Sequence, residues 1–511
     1  MPTAIVIGAG IGGLAAAARL ARAGYRVTVL EKGAQPGGRA SFIEQDGYHF
    51  DTGPTLFLMP EVFRETFAAL GERMEAHLDL VRLDPTYRVH FEDGSRIDLS
   101  PSLPKMREQL EALEPGSFEQ FLRFMADGYR HYHLSLRHFV GRDFNSLLDY
   151  FSPRNLPLIF KMKALTSHHT NTARHFKDER LQAAFSFQNM YLGLSPYEAP
   201  ATYSLLQYTE LADGVYFPRG GLYQVIKALA GIAEGLGVRF LYNTPAARID
   251  VAGGRATGVT TANGQTLKAD VIVANADLPY VYSDLLPDDG SAAKLRQMKY
   301  TASALMFYWG VAGPRDPRLL HHNVFLNDRQ YQASFDQIFR DHSLPDAPSF
   351  YINASTRTEP GFAPPHGDSL MVLMPTGHLD PTRPQDWTAL RAKARAAVFE
   401  RLAGIGVTGV KENIAFEATY GPEDYARDLN LVNGSAFGLS HNFRQVGYLR
   451  PHNQHPRYRN LYFAGASTHP GTGLPIVLLS ARLTVERILR DAPVAERATP
   501  LVTSPRPEPA P

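Results

Sequence analysis

The chain has 511 residues, a formal net charge of +1, 44% hydrophobic residues and no cysteine. Near-neutral charge gives no general attraction to nucleic acid, and the lack of cysteine excludes disulfides, thiolate metal sites and a cysteine nucleophile. This length predicts roughly three domain-sized units, or two interleaved ones with a shared core.

Residues 3–39 read TAIVIGAGIGGLAAAARLARAGYRVTVLEKGAQPGGR. A short apolar strand, Ala4–Ile7, runs into Gly8, Gly10 and Gly13, which open an alanine-rich helix; a second strand, Tyr25–Leu30, ends on Glu31. Gly8 suits a turn too tight for a side chain, Gly10 a backbone approaching a pyrophosphate, and Gly13 a helix lying close on a sheet. The helix N-terminus faces the phosphate charge. Glu31, about 20 residues on, is placed to accept hydrogen bonds from ribose hydroxyls. A second glycine turn, Gly37-Gly38-Arg39, follows the acid directly, and its arginine can reach back to dinucleotide phosphates. A nicotinamide dehydrogenase has no need of this second clamp, so tight, buried FAD is expected, an attachment through cysteine being excluded. The N-terminus enters the first strand at once, so no signal peptide is expected. No apolar stretch reaches the roughly 18 residues of a spanning helix, which leaves only peripheral membrane contact.

The nucleotide half is split by a long middle stretch from about Met59 to Tyr216, rich in aromatics, His and Arg. Its histidines, His131, His133, His138, His168 and His169, lack HExxH or carboxylate-paired spacing, so packing or surface roles are expected and no metal. Tyr191, Tyr197, Tyr203 and Tyr208 suit either a tunnel lining or an aromatic core. Asn155–Leu165 joins an apolar cluster to Lys161 and Lys163, the pattern of an interfacial anchor or of a buried helix with solvated lysines.

Pro218-Arg219-Gly220-Gly221 turns into a predicted helix, Leu222–Glu234. Val238–Tyr242, Ala247–Val251, Gly258–Thr261 and Thr266–Ala269, punctuated by Gly253-Gly254 and Asn263-Gly264, read as an antiparallel meander. Ile249 on it is either a neighbour of adenine or a core residue. Ala269–Asp277 reads as a buried strand returning to the nucleotide sheet. A second variable region, about Ala302 to Asp424, contains strands such as Ala304–Trp309 and Ser369–Met374. The tail beyond Asp491 carries six prolines and is expected to be disordered. The expected organisation is therefore cofactor-binding parts at 1–58, 217–301 and 425–491, substrate-binding parts at 59–216 and 302–424, and a tail at 492–511.

Near the C-terminus, Asn460–Ala466 reads as a buried strand ending in a glycine turn at Gly465. Ser467-Thr468-His469-Pro470-Gly471-Thr472-Gly473-Leu474-Pro475 then leads into an amphipathic helix from Ile476 to about Leu489. Pro475 suits the first helical turn. The turn Gly473-Leu474-Pro475-Ile476 would aim unpaired N–H groups and a partial positive charge at a flavin, stabilising negative charge on the reduced ring.

Gly8 to Arg39 together with Phe50-Asp51-Thr52-Gly53-Pro54 resembles the flavoprotein amine oxidase and carotenoid desaturase superfamily. Residues 462–475 are similar to the C-terminal signature of bacterial phytoene-desaturase-type carotenoid desaturases, and Gly193…Pro196 and residues 214–221 match the same pattern. Many superfamily members have Gly-Asp where this chain has Gly465-Ala466, a departure that fits the desaturases and removes an acidic ribityl contact. The resemblance implies an α/β fold, a Rossmann-like FAD-binding domain of the amine-oxidase type with an interleaved α+β substrate-binding domain. It implies FAD held by Gly8, Gly10, Gly13, Glu31, Arg39, Gly53, Ile249, Gly465, Gly473, Leu474, Pro475 and Ile476. It also implies a hydrophobic carotenoid as substrate, of phytoene or 1-hydroxycarotenoid (3,4-desaturation) type, a peripheral site on the cytoplasmic face of a membrane, and a quinone or oxygen as electron acceptor. His469 is the polar candidate for catalysis; a turn histidine bonded to backbone is its alternative. A flavin oxidase of a small polar substrate, a carotenoid isomerase or saturase, and a nonenzymatic flavoprotein are the competing readings.

Overall fold

The structure, a computed structural model, describes residues 1–144 and 146–491. The tail expected to be disordered lies outside the described residues.

The nucleotide half is a five-stranded parallel sheet in the order Leu461–Phe463, Val271–Ala274, Thr3–Ile7, Arg26–Leu30, Arg239–Leu241. Strand alternation divides its side chains between two cores. Ala4 and Val6 face the helices, whereas Ile5 and Ile7 face the antiparallel meander Ala246–Ala252, Arg255–Thr261, Thr266–Lys268. The helix Ile11–Arg22 has fully buried alanines at 15–18, and these small side chains let it pack against both Tyr223–Gly235 and Leu474–Asp491. The sheet order reverses beside Thr3–Ile7, and the C-terminal ends of the strands at such a switch point are where α/β sheets bind ligands.

The second half is built on a seven-stranded mixed sheet in the order Ile414–Tyr420, Ser303–Ala312, Gly367–Thr376, Phe350–Asn353, His322–Phe325, Tyr87–His90, Arg96–Leu99. Leu305, Phe307 and Trp309 pack on the helix Trp387–Gly404, while Ala304, Met306 and Tyr308 meet Tyr48 and Phe50 from the cofactor side. Helices between Leu103 and Asp213 form a further layer.

One expected element is corrected. The segment read as the first strand of the meander is Arg239–Leu241, and it joins the parallel sheet beside Arg26–Leu30. It follows a helix, so it completes a crossover unit, and crossovers return parallel. The meander hairpin at Gly253-Gly254 has φ +55° and +70°, the left-handed pair that a two-residue turn between antiparallel strands favours. Among the described residues no helix is long and apolar enough to cross a membrane.

Candidate cofactor and substrate site

The two ends of the chain meet at Asn275, just past the strand Val271–Ala274. Its backbone N–H donates to the Ile7 carbonyl (2.8 Å) and its side-chain Nδ2 to the Ala464 carbonyl (2.7 Å). A Cβ on Gly10 would lie 2.9 Å from Asn275 Oδ1, and one on Gly12 2.6 Å from Nδ2 and 2.8 Å from Val477 Cγ1. The N-termini of the first and last helices are thus side by side around one amide. Gly13 is tighter still, since its Cβ would lie 2.0 Å from the Gly8 carbonyl oxygen. We therefore expect Gly13→Ala to displace the Gly8 turn, lower stability by about 1–3 kcal/mol and yield protein without bound flavin, read from the absorbance of the purified variant.

The helix Ile11–Arg22 starts at Gly10 with no side-chain cap and no acid in its first turn. Its first N–H groups are consequently available to an anion. Glu31 is buried, and its carboxylate accepts from Ala9 N–H and Gly33 N–H, both at 2.7 Å. It pins the glycine loop while retaining further acceptor sites. Gly37 N–H donates to the Ala9 carbonyl (2.9 Å), which brings the second glycine turn against the first. Arg39 donates from Nη1 to the Ala436 carbonyl (3.2 Å), and burial lowers its pKa although Asp277 lies nearby to counter this. Gly53 is a packing glycine, since its Cβ would sit 1.9 Å from the Arg39 carbonyl oxygen.

At the other end, Gly465 has φ +147° and Gly473 φ +102°. The helix they lead to is Leu474–Asp491, beginning two residues before the expected start; no acid occupies its first turn and Pro475 has no N–H to satisfy. Gly473 is exposed, Leu474 and Ile476 are half-buried, and Gly8, Gly10 and Arg39 are likewise half-buried. The uncapped N-terminus of the first helix, the acid-free first turn of the last, a cation and a carboxylate therefore border one region, a set of groups that fits a dinucleotide carrying a pyrophosphate. Ile249 is 0% exposed and packs with Ile7, Leu30 and Val259.

His469 is buried, and its ring Nε2–H donates to the Arg142 carbonyl at 2.7 Å. Burial pushes its pKa down to about 4, so the ring is neutral near pH 7 and ties the C-terminal loop to the helical layer. Asp51 was quoted in the sequence without a role; its carboxylate accepts from Leu222 N–H (2.9 Å) and Tyr223 N–H (3.1 Å), anchoring the helix Tyr223–Gly235. Burial raises its pKa to about 6 against those two bonds. Sequence reasoning passed over Arg450, which is 1% exposed. Its guanidinium donates to the carbonyls of Thr468 (2.9 Å), Ser440 (2.8 Å), Gln445 (3.0 Å), Leu439 (3.1 Å) and Ala466 (2.5 Å). Beside it, Asn453 Nδ2 reaches the carbonyls of Phe463 (3.1 Å) and His469 (2.9 Å). The cue in the sequence is Arg450-Pro451-His452-Asn453, a polar run in the loop that leads to the last buried strand.

The middle stretch supplies buried polar and aromatic side chains. His131 Nδ1 pairs with Ser204 Oγ (2.7 Å), and His168 pairs with Asn189 Oδ1. Among the described residues no group of three or more His, Asp or Glu is arranged to hold a metal. Of the four tyrosines, Tyr191 packs on Tyr87 and Phe187, Tyr197 on Tyr331 and Phe335, and Tyr208 on Tyr129 and Tyr132, while Tyr203 donates to the His441 carbonyl (3.2 Å). Segment 155–165 holds the helix Leu156–Lys161. Its Ile159 and neighbouring Met162 are buried, while Leu148 (85% exposed), Phe160 (62%) and Leu165 (63%) face outward. Lys163 does not remain solvated: its Nζ turns in to Asp127 (2.5 Å) and Asn171 (2.8 Å), because the nearly buried Asp127 needs a counter-charge.

Comparison with known proteins agrees with this geometry. Residues 11–489 match the flavin containing amine oxidoreductase family, and the chain belongs to it. Among solved structures, an oxidoreductase from Methanosarcina mazei (TM-score 0.64, 18% identity, covering 95% of this chain and 100% of that one) and a putrescine oxidase variant (TM-score 0.65, 15% identity, 96% and 100%) share the fold. Within the family the chain groups with the carotenoid desaturases. It is 48% identical over 487 residues to a zeta-carotene-forming phytoene desaturase of Myxococcus xanthus, covering 95% of this chain and 93% of the relative. It is 35% identical over 497 residues to the 4,4'-diapophytoene desaturase (4,4'-diaponeurosporene-forming) of Staphylococcus aureus strain Newman, covering 95% and 98%. FAD is the cofactor of this class of fold, and the residues around Asn275 fit it.

Proposed function

We infer that this protein is an FAD-dependent carotenoid desaturase, with a phytoene-type polyene as its substrate and a membrane surface as its working place. The observation that carries the reading is full-length identity of 48% and 35% to two carotenoid desaturases, joined to a cofactor cradle built from both ends of the chain. FAD, when bound, supplies the two-electron acceptor for removal of hydrogen from a C–C bond. The chain's own part is holding and shielding. We assign the pyrophosphate to Gly8, Gly10, Gly13 and Arg39, the ribose to Glu31, and the flavin end to Gly465 and the turn Gly473–Ile476. Parts 1–58, 217–301 and 425–491 form the cofactor half in this assignment, and 59–216 with 302–424 the substrate half, in keeping with the strands each sheet draws. A conjugated chain stabilises its own developing charge, so aromatic walls that exclude water suffice where a polar substrate would need charged groups. His469, neutral and committed to Arg142, is assigned a positioning role.

Pigment analysis after co-expression with enzymes supplying each precursor tests the substrate. New absorption maxima at longer wavelength with phytoene support the reading; an unchanged profile with every precursor contradicts it.

The membrane assignment rests on the outward Leu147, Leu148, Leu156, Phe160 and Leu165. Burying one such side chain is worth about 1.5–3 kcal/mol. The double variant Leu148→Ser, Phe160→Ser is therefore expected to bind phospholipid vesicles at least tenfold more weakly in sedimentation while keeping its bound flavin. Unaltered sedimentation would remove this face as the contact.

A further inference from the structure

The first turn of the last helix is only as well placed as the residues that precede it, and one side chain outside the C-terminal motif holds them. His441 is buried, and its ring Nε2 accepts the Thr472 N–H at 3.0 Å. A Cβ on Gly471 would lie 2.6 Å from the same nitrogen, so the ring rests against that glycine's backbone. His441 is itself fixed from behind. Tyr203 OH donates to its carbonyl (3.2 Å), and Arg450 holds the carbonyls of Leu439 and Ser440 just before it. Because Nε2 accepts, the ring proton sits on Nδ1, which is buried without a protein partner. An unmet buried donor of this kind is destabilising, and an apolar residue would fill the space without that cost. Burial, with the Arg450 charge adding to it, holds the imidazole pKa well below the usual range. The acceptor lone pair is thus retained near neutral pH.

We propose that His441 is a positioning residue of the cofactor site, its Nε2 fixing the Gly471–Gly473 turn so that the opening N–H groups of the last helix face the flavin. This rests on the assignment of that turn to FAD. The expected behaviour separates reach from polarity. Glutamine places an oxygen the same number of bonds from Cβ as Nε2, whereas asparagine stops one bond short.

The test compares His441→Gln, His441→Asn and Gly473→Val, each checked for folding by circular dichroism, by titrating apoprotein with FAD and by measuring the midpoint potential of the bound flavin. His441→Asn is expected to bind FAD at least tenfold more weakly with a more negative potential, and His441→Gln to stay within threefold of the parent on affinity with an unmoved potential. Gly473→Val, strained at φ +102°, is expected to weaken FAD as well. Equal behaviour of His441→Asn and His441→Gln, with Gly473→Val impaired, overturns the role of His441. Normal FAD binding by Gly473→Val overturns the assignment of the turn and the proposal with it.

Discussion

Arg450→Met is expected to lose at least about 4 kcal/mol of stability and to purify without FAD. Five backbone carbonyls from residues 439–445 and 466–468 accept from one guanidinium, only that of Ser440 having a second side-chain donor, Gln445 Nε2 (3.3 Å), among the bonds described, and methionine fills the volume while donating to none. Orphaned buried acceptors cost about 1–3 kcal/mol each, partly relieved by relaxation or entering water. Among the described residues no carboxylate hydrogen-bonds Arg450; burial lowers its pKa to about 10 although the Asp277 charge counters this, so it stays charged. Arg450→Lys, with three donors and no planar fork, is expected to fall between parent and methionine variant. Thermal unfolding and the flavin content of purified protein measure both effects. A methionine variant with parental melting temperature and full flavin would show that these loops are held by something else.

The second large effect concerns Glu210, on the π-helical turn Thr209–Asp213. It is 1% exposed, its carboxyl takes Tyr87 OH (3.3 Å) and Gln188 Nε2 (3.2 Å) as partners with the Tyr191 hydroxyl beside them, and among the described residues no cation pairs with it. Burial raises its pKa from 4.5 to about 8. A folded-state pKa above the unfolded one means that the folded protein holds the proton longer. The contribution to stability is therefore complete below about pH 4.5 and is lost as pH rises through about 8, at about 1.4 kcal/mol per pH unit. Over that window the loss amounts to about 4–5 kcal/mol. Glu210→Gln removes the ionisation, its carbonyl oxygen still accepting from Gln188 Nε2 while its NH2 donates to the Tyr87 hydroxyl. Its melting temperature is expected to exceed the parent's by a margin that widens from pH 5 to 8.5; parallel curves would mean that Glu210 ionises normally in the folded protein.

The residues that could be read from sequence are those whose partners are near in the chain or fixed by a repeating geometry. Gly8, Gly13 and Glu31 belong to one local strand–turn–helix–strand unit, so spacing alone predicted their juxtaposition. Gly465 and Gly473 were legible for the same reason. Arg239–Leu241 was misplaced because a short apolar run shows no difference between parallel and antiparallel pairing; only the preceding helix distinguishes them. Lys163 read as either a headgroup or a solvated lysine because the sequence of its own segment says nothing of Asp127, 36 residues earlier. Arg450, His441 and Glu210 lie in loops or irregular helical turns, where no period marks a buried polar side chain, and their partners come from separate segments.

The most direct test of a polyene desaturase built on this cradle is anaerobic mixing of the flavin-loaded protein with phytoene in phospholipid vesicles, followed by its visible spectrum. Bleaching of the oxidised flavin band with the growth of a more extended polyene absorption is the predicted result. A flavin that stays oxidised with phytoene, yet bleaches with small amines, would contradict the account.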